Sequence, residues 1–176
     1  MRVGVYGGSF NPPHVGHALV ATWARLSGRV DEVWFVPAFV HPFDKALAPW
    51  ELRLRMCRAL ASELGDWARC DDVEARLGGT SYTVRTLDAL REAAPDAELR
   101  LIVGADILPQ TPTWREWSRI EKMYAPIVVG RDGYAPVADA PTFPAISSTE
   151  IRRRRASGEP VEHLLSRGVR AIYEAG

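Results

Sequence analysis

Short apolar and β-branched runs alternate along this chain with longer stretches whose apolar residues return at helical spacing, and that alternation limits what it can fold into more than any other feature. Arg2 to Tyr6 and Val33 to Val36 are the first two runs, closed by Gly7-Gly8 and by Pro37. Between them Ala18, Leu19, Ala21, Trp23 and Leu26 supply good helix formers, and Gly28 stops the segment. Pro49 precedes Glu51 to Leu64, where Leu52, Met56, Ala59, Leu60 and Leu64 recur beside arginines and glutamates up to Gly65. Ala68 to Val73 reads as a weaker strand, and Tyr82, Thr83, Leu87 and Leu90 as part of a helix ending before Pro95. Leu99 to Val103 is again a buried strand, Trp114 to Tyr124 a helix and Ile127 to Val129 a strand. Ser147 to Arg155 opens as a helix with capping-type residues, and a last helix is expected around Val169 to Tyr173.

Strands alternating with helices in this way predict a parallel sheet covered on both faces, a doubly wound α/β fold with right-handed crossovers. The 176 residues suffice for one domain, 1–176, with a real core, and 47% hydrophobic with 25% charged residues exclude a disordered tail or a fibre. No repeat, low-complexity tract or linker is visible. Gly130 to Pro144, with three prolines and two glycines, is expected to loop over one edge of the sheet. Lys and Arg balance Asp and Glu at 22 each, so no global field draws nucleic acid or an anionic membrane, and any anion must be met by a local site. The two cysteines, Cys57 and Cys70, form no CxxC pair and read as reduced and structural. The start, MRVGVYGG, is too quickly broken by glycine for a signal peptide, and no apolar run approaches the roughly 18 residues of a membrane span. The expectation is a soluble cytoplasmic protein with neither nucleic acid nor membrane as partner; homo-oligomerisation is compatible with it.

The most informative segment is Gly7-Gly8-Ser9-Phe10-Asn11-Pro12-Pro13-His14-Val15-Gly16-His17, between the first strand and the first helix. Glycines bring backbone close to phosphates, and free amides at a helix amino terminus, with the helix dipole, attract negative charge. His14 and His17 add two donors whose pKa should rise near phosphate, which suits a polyphosphate. The plain alternative for a histidine here is a polar loop or a helix cap. The segment matches neither GxxxxGK[ST] nor GxGxxG, which disfavours a P-loop ATPase and a dinucleotide redox site. A second anion site is suggested by Ile146-Ser147-Ser148-Thr149-Glu150-Ile151-Arg152, where hydroxyls precede a helix and Arg152 lies one turn inside it; an ordinary cap is the alternative. Arg153, Arg154 and Arg155 read as a solvated face.

At these two segments the chain resembles the nucleotidylyltransferase superfamily, marked by an (H/T)xGH motif after the first strand and an ISSTxIR-like motif near the end. It is more closely similar to the bacterial nicotinate mononucleotide adenylyltransferases, also in Ser81-Tyr82-Thr83, Gly104-Ala105-Asp106 and Pro112-Thr113-Trp114. The resemblance implies a Rossmann-like nucleotidylyltransferase fold. The implied reaction is attack by the 5′-phosphate of nicotinate mononucleotide on the α-phosphorus of ATP, giving deamido-NAD and pyrophosphate, with Mg2+ bridging phosphate oxygens rather than sitting in a protein cage. It also implies the catalytic residues His14, His17 and Arg152, and an ATP site of Gly7, Gly8, Ser9, Phe10, His14, His17, Ser147, Ser148, Thr149 and Arg152. The acceptor site would comprise Lys45, Tyr82, Thr83, Gly104, Asp106 and Trp114, with the indole against the pyridine ring, backbone amides near Thr83 and Trp114 on the carboxylate, and Asp106 on a ribose hydroxyl.

For Trp114 the alternative is core packing shared with Trp117, for Asp106 a cap after its strand, and for Lys45 plain solvation. The chain departs from the family pattern at Pro42-Phe43-Asp44-Lys45, where a carboxylate replaces a histidine, and at Arg115, where an aromatic is common. The stretch from Tyr134 to Pro144 is short for the family. Rival readings are a related transferase such as pantetheine phosphate adenylyltransferase, against which SYT and PTW argue, transfer to nicotinamide mononucleotide, and a nucleotide-binding module without turnover. A class I aminoacyl-tRNA synthetase is set aside because the chain is too short.

Overall fold

A computed structural model describes residues 1–40 and 47–175. Six parallel strands form one sheet: β1 (Arg2–Gly8), β2 (Glu32–Pro37), β3 (Ala68–Cys70), β4 (Glu98–Gly104), β5 (Ile127–Arg131) and β6 (Thr142–Phe143). Their spatial order, β3-β2-β1-β4-β5-β6, reverses direction at β1, so the crevice between the carboxyl ends of β1 and β4 is the topological switch point where ligands bind in such sheets. Residues Val3 to Gly8 of β1 pair in register with Glu32 to Pro37, and Arg2 to Tyr6 with Glu98 to Ile102.

The helices are α1 (Val15–Leu26), α2 (Trp50–Leu64), α3 (Val73–Leu77), α4 (Thr83–Ala93), α5 (Trp117–Tyr124), α6 (Ser148–Ala156) and α7 (Arg167–Ala175), with 3-10 turns at Leu108–Thr113 and Glu162–Leu164. Because successive strand residues point to opposite faces, the sheet feeds two cores. On one side Val33, Phe35, Ile102 and Val129 meet Ala21, Met56, Leu60, Ile151 and Val169; on the other Val3, Val5, Trp34, Leu101 and Val103 meet Val84, Leu87 and Ile120. Both faces are therefore covered, as the alternating pattern requires. Cys57 and Cys70 are free thiols, Cys57 fully buried.

Four departures from the expected elements have identifiable causes. α1 begins at Val15 rather than Ala18, because the His14 N–H donates to His17 Nδ1 at 3.0 Å and draws the HxGH segment into the first turn. The strand expected to reach Val73 ends at Cys70: the Asp71 carboxylate accepts the Val73 N–H at 3.0 Å and turns the chain into α3. The helix expected from Trp114 starts only at Trp117, since Pro109 and Pro112 tighten the preceding turn and Glu116 is left-handed, with φ 57°. The edge segment 130–144 is not all loop, for Gly130 and Arg131 pair with Thr142 and Phe143. A Cβ on Gly130 would lie 2.7 Å from the Pro141 carbonyl oxygen, so this approach requires glycine.

Candidate active site

A cavity of about 540 Å³ opens at the switch point, lined from β1 and its following turn by Tyr6, Gly7, Gly8 and Ser9, from the start of α1 by its N-cap His14 and by His17, and from the end of β4 by Gly104 and, just beyond it, Asp106. Tyr82, Thr83 and Trp114 close its far wall, and Arg131 and Ile146 its near one. Of the residues selected from the sequence, Gly7, Gly8, Ser9, His14 and His17 thus share one space with Tyr82, Thr83, Gly104, Asp106 and Trp114. Lys45 falls outside the described residues.

The histidine pair is held by packing. The imidazoles of His14 and His17 stack with centroids 3.7 Å apart, and Phe10 and Tyr6 pack on His17 at 4.8 and 5.8 Å. Since His17 Nδ1 accepts the His14 N–H, neutral His17 carries its proton on Nε2, which is thereby fixed as a donor. His14 is buried and its Nδ1 has no hydrogen-bond partner among the described residues, a buried polar atom that calls for a ligand. The protein's own groups keep both rings neutral. Burial, then the charge of Arg131, lower the His14 pKa to about 3; burial, His14 and Arg131 push His17 well below its usual value. A rise near phosphate, as expected from the sequence, would require the charge of a bound anion to act against both of these effects.

The second motif docks onto the first. Ser148 Oγ donates to the Pro12 carbonyl at 2.8 Å, and Arg152 Nη1 to the Asn11 carbonyl at 2.6 Å, so the start of α6 lies against the loop that leads to His14. Ser147 accepts the Glu150 N–H at 3.1 Å and is a helix cap, the plainer of its two readings. Ser147, Ser148, Thr149 and Arg152 do not line the cavity; Ile146, just before them, does. The Phe10 ring is 1% exposed and belongs to the core beneath Gly8 and His17, leaving its backbone as what it can offer a ligand. Arg153 pairs with Glu150 and Glu159, and Arg154 with Glu150, a helix-surface network as expected of a solvated face.

Trp114 packs edge-on against Trp117, centroids 5.6 Å apart, as its core reading expects, and also lines the cavity. Thr83 is the first residue of α4, whose N-cap Tyr82 gives no side-chain cap, so the first-turn amides stay available to an anion. The Arg115 guanidinium stands 5.3 Å over the Tyr82 ring at the rim. Asp106 lies just beyond β4, and a Cβ on Gly104 would come within 2.3 Å of its Oδ1; glycine there is what lets the carboxylate fold onto the cavity wall.

Three site-building residues escaped the sequence reading. Glu74, 8% exposed, accepts the Phe39 N–H at 3.0 Å and the Thr86 hydroxyl at 2.8 Å; burial raises its pKa, while Ser81, Phe39 and Thr86 bond to it and oppose that rise. Ser81 Oγ in turn accepts the N–H groups of Phe39 and Val40 at 3.0 and 3.2 Å, so this cluster seats the SYT segment on the end of β2. Arg53, 1% exposed, donates to the carbonyls of Ser9, Ala38 and Ala48 at 3.0, 2.8 and 3.0 Å and braces the glycine turn. Arg131 ends β5; extending the Ile127 to Val129 run by two residues to the carboxyl edge of a parallel sheet would have flagged it. Glu74 and Arg53 carry no local signal, because an acidic residue in a short turn and an arginine in an amphipathic helix both read as solvent-facing.

A cytidylyltransferase-like family model matches residues 5–154. The chain belongs to the cytidylyltransferase-like family. Among curated relatives of this cytidylyltransferase-like protein, the "Probable nicotinate-nucleotide adenylyltransferase" of Anaeromyxobacter dehalogenans is 48% identical over 99% of this chain and 94% of its own length. The protein of the same description from Myxococcus xanthus is 40% identical over 100% of this chain and 94% of its own. A Plasmodium falciparum nicotinic acid mononucleotide adenylyltransferase complexed with NaAD superposes with a TM-score of 0.78 at 18% identity, covering 99% of this chain and 95% of that one. At that identity the likeness carries the doubly wound fold alone. No helix among the described residues is long and apolar enough to cross a membrane.

Proposed function

We propose that this protein is a nicotinate-nucleotide adenylyltransferase, transferring the adenylyl group of ATP to nicotinate mononucleotide and releasing pyrophosphate. One observation carries the reading: the HxGH pair and the Thr83, Asp106 and Trp114 wall face a single cavity, in a chain 48% identical along nearly its whole length to a relative of that description. The reaction suits such a site because no protein nucleophile is needed. An oxygen of the acceptor 5′-phosphate forms a bond to the α-phosphorus, the bond from that phosphorus to the bridging oxygen breaks, and pyrophosphate leaves with the electron pair. Catalysis then consists of positioning and of stabilising charge on the transferring and leaving phosphates.

The half-buried Nε2–H of His17, fixed by the bond from the His14 N–H to Nδ1, is the donor we assign to the α-phosphate, and His14 the one for the phosphates beyond it. Arg152 and the hydroxyls of Ser147, Ser148 and Thr149 receive the triphosphate, with Gly7, Gly8 and Ser9 as the backbone against which the nucleotide lies. Arg152 currently donates to the Asn11 carbonyl at 2.6 Å and would exchange part of that bond for a phosphate oxygen. Tyr82, Thr83, Gly104, Asp106 and Trp114 form the acceptor wall, and amides rather than a cation meet the nicotinate carboxylate. An amide in that place leaves donors poorly paired, which is the basis for preferring nicotinate over nicotinamide mononucleotide.

The carboxylates lining the cavity, Glu74 and Asp106, are both engaged by protein donors, and no cluster of three or more His, Cys, Asp or Glu suited to a metal occurs among the described residues. This donor set fits a magnesium ion carried in by phosphate oxygens, which when bound neutralises charge on the leaving pyrophosphate. We read residues 1–176 as one catalytic domain acting in the cytoplasm, where ATP is supplied. The test is pyrophosphate release from Mg-ATP offered separately with nicotinate mononucleotide, nicotinamide mononucleotide and phosphopantetheine. Release selective for the first is expected; release with another acceptor alone, or with none, overturns the reading.

A further inference from the structure

Arg131, which lines the cavity, is given no task by the reaction above. Arg131, the last residue of β5, points its guanidinium across the crevice: Nη1 stands 3.1 Å from Asp106 Oδ2, and Nη2 donates to the Ile146 carbonyl at 3.0 Å. Ile146 immediately precedes the ISST segment, and Asp106 belongs to the acceptor wall, so the two arms of one planar group join the two halves of the site. Both partners are largely withdrawn from solvent, the side chains being 28% and 21% exposed, which spares the pair most of the screening that weakens a surface ion pair.

We propose that Arg131 is a positioning residue for the acceptor, acting through Asp106: it fixes Oδ2 so that Oδ1, seated over Gly104 on the cavity wall, is presented to the acceptor's ribose hydroxyls. This rests on the assignment of Asp106 to the ribose. A carboxylate on a turn rotates freely about two bonds, and accepting from a ribose requires that rotation to stop. Here Arg131 stops it by holding Oδ2, while Gly104, lacking the Cβ that would stand 2.3 Å from Oδ1, leaves the room that orientation needs. The fork geometry matters as much as the charge, since a lysine ammonium is a point charge on a flexible stem and does not reproduce two divergent, planar bonds to Asp106 and to the Ile146 carbonyl. Arg131 also sits close enough to the histidines for its charge to oppose their protonation, which places it midway between acceptor and nucleotide.

The experiment is a double-mutant cycle on turnover with nicotinate mononucleotide, comparing wild type, R131Q, D106N and R131Q/D106N, with R131K alongside. R131Q should raise the acceptor KM about tenfold, as loss of a charge-assisted hydrogen bond does, while the KM for ATP and kcat stay within about twofold. In the D106N background the same substitution should change acceptor KM by less than about twofold, because the group it acts through is already disabled. R131K should fall between wild type and R131Q, and it carries the cycle with D106N if R131Q fails to fold. A role confined to stability predicts equal effects in both backgrounds. If D106N weakens acceptor binding but R131Q adds its full effect on top, the proposal falls and the ribose assignment stands. If D106N leaves acceptor KM unchanged in an enzyme selective for nicotinate mononucleotide, both the ribose assignment and the proposal fall. If wild type does not turn over that acceptor, it is the proposed function itself that fails.

Discussion

Acidification should weaken this fold through its histidine pair. His14 is 5% exposed and kept neutral, with its pKa lowered to about 3 by burial and the charge of Arg131. In the unfolded chain the same imidazole titrates near 6.5, so between about pH 6.5 and 3 the unfolded state binds a proton that the native state refuses, and stability is lost as pH falls. Integrating from pH ~7.5 to pH ~5 gives a loss of about 2 kcal/mol from His14 alone. His17, depressed for the same reason, adds to the loss in the same direction. The carboxylates held low by arginine, Asp31 and Glu150 at about 2, lose their contribution only below the ordinary carboxylate range and behave alike in wild type and variant. Urea unfolding followed by tryptophan fluorescence at pH ~7.5 and ~5, on wild type and H14Q, isolates the effect. The wild type should lose about 2 kcal/mol more than H14Q over that interval, roughly 1 M in urea midpoint at an m-value of about 2 kcal/mol/M. Midpoints that move in parallel would show that His14 titrates as an exposed histidine does, and the account of a pair held neutral by burial would be wrong.

Further outcomes follow from the same geometry. H17A should lower kcat by about a hundredfold or more while the KM for ATP moves only a few-fold, as for loss of a donor aimed at developing charge; unchanged turnover in a folded variant removes His17 from the mechanism. G104A should fold with a Tm within about 5 °C of wild type, because the clash is with a side-chain end that can swing away once its pair with Arg131 is given up, and that displacement of Asp106 should raise acceptor KM. A G104A enzyme that binds acceptor normally would show that the Asp106 position is not required. E74Q turns an amide donor toward the donors of Phe39, Ser81 and Thr86 and should cost about 1–3 kcal/mol in urea unfolding, with a weaker acceptor KM as the SYT segment loosens.

Much of the fold was legible because strands buried on both faces and helices packed on one face write different periods into a chain. β1, β4 and α2 follow their apolar patterns almost to the residue, whereas α3, the late start of α5 and the short β6 depend on Asp71, on Pro109, Pro112 and Glu116, and on the close contact at Gly130. These are single-residue or long-range effects that leave no period. The glycine and histidine segment was legible as a candidate anion site because it sits at an element boundary, and it does line the cavity, whereas the hydroxyls of Ser147, Ser148 and Thr149 do not.

From the sequence alone came the doubly wound architecture, written in its alternating periods, and, through the resemblance carried by the HxGH and ISSTxIR segments, the reaction class and a set of candidate site residues. The tertiary structure alone decided how they are held: that His14 and His17 stay neutral, that Phe10 serves the core, that Ser148 and Arg152 dock on the loop before His14, and that Arg131 and Glu74, distant in sequence from the residues they bond, line the cavity. Those properties arise from burial and from bonds between residues tens of positions apart, and neither exists until the sheet has brought the ends of β1, β4 and β5 together.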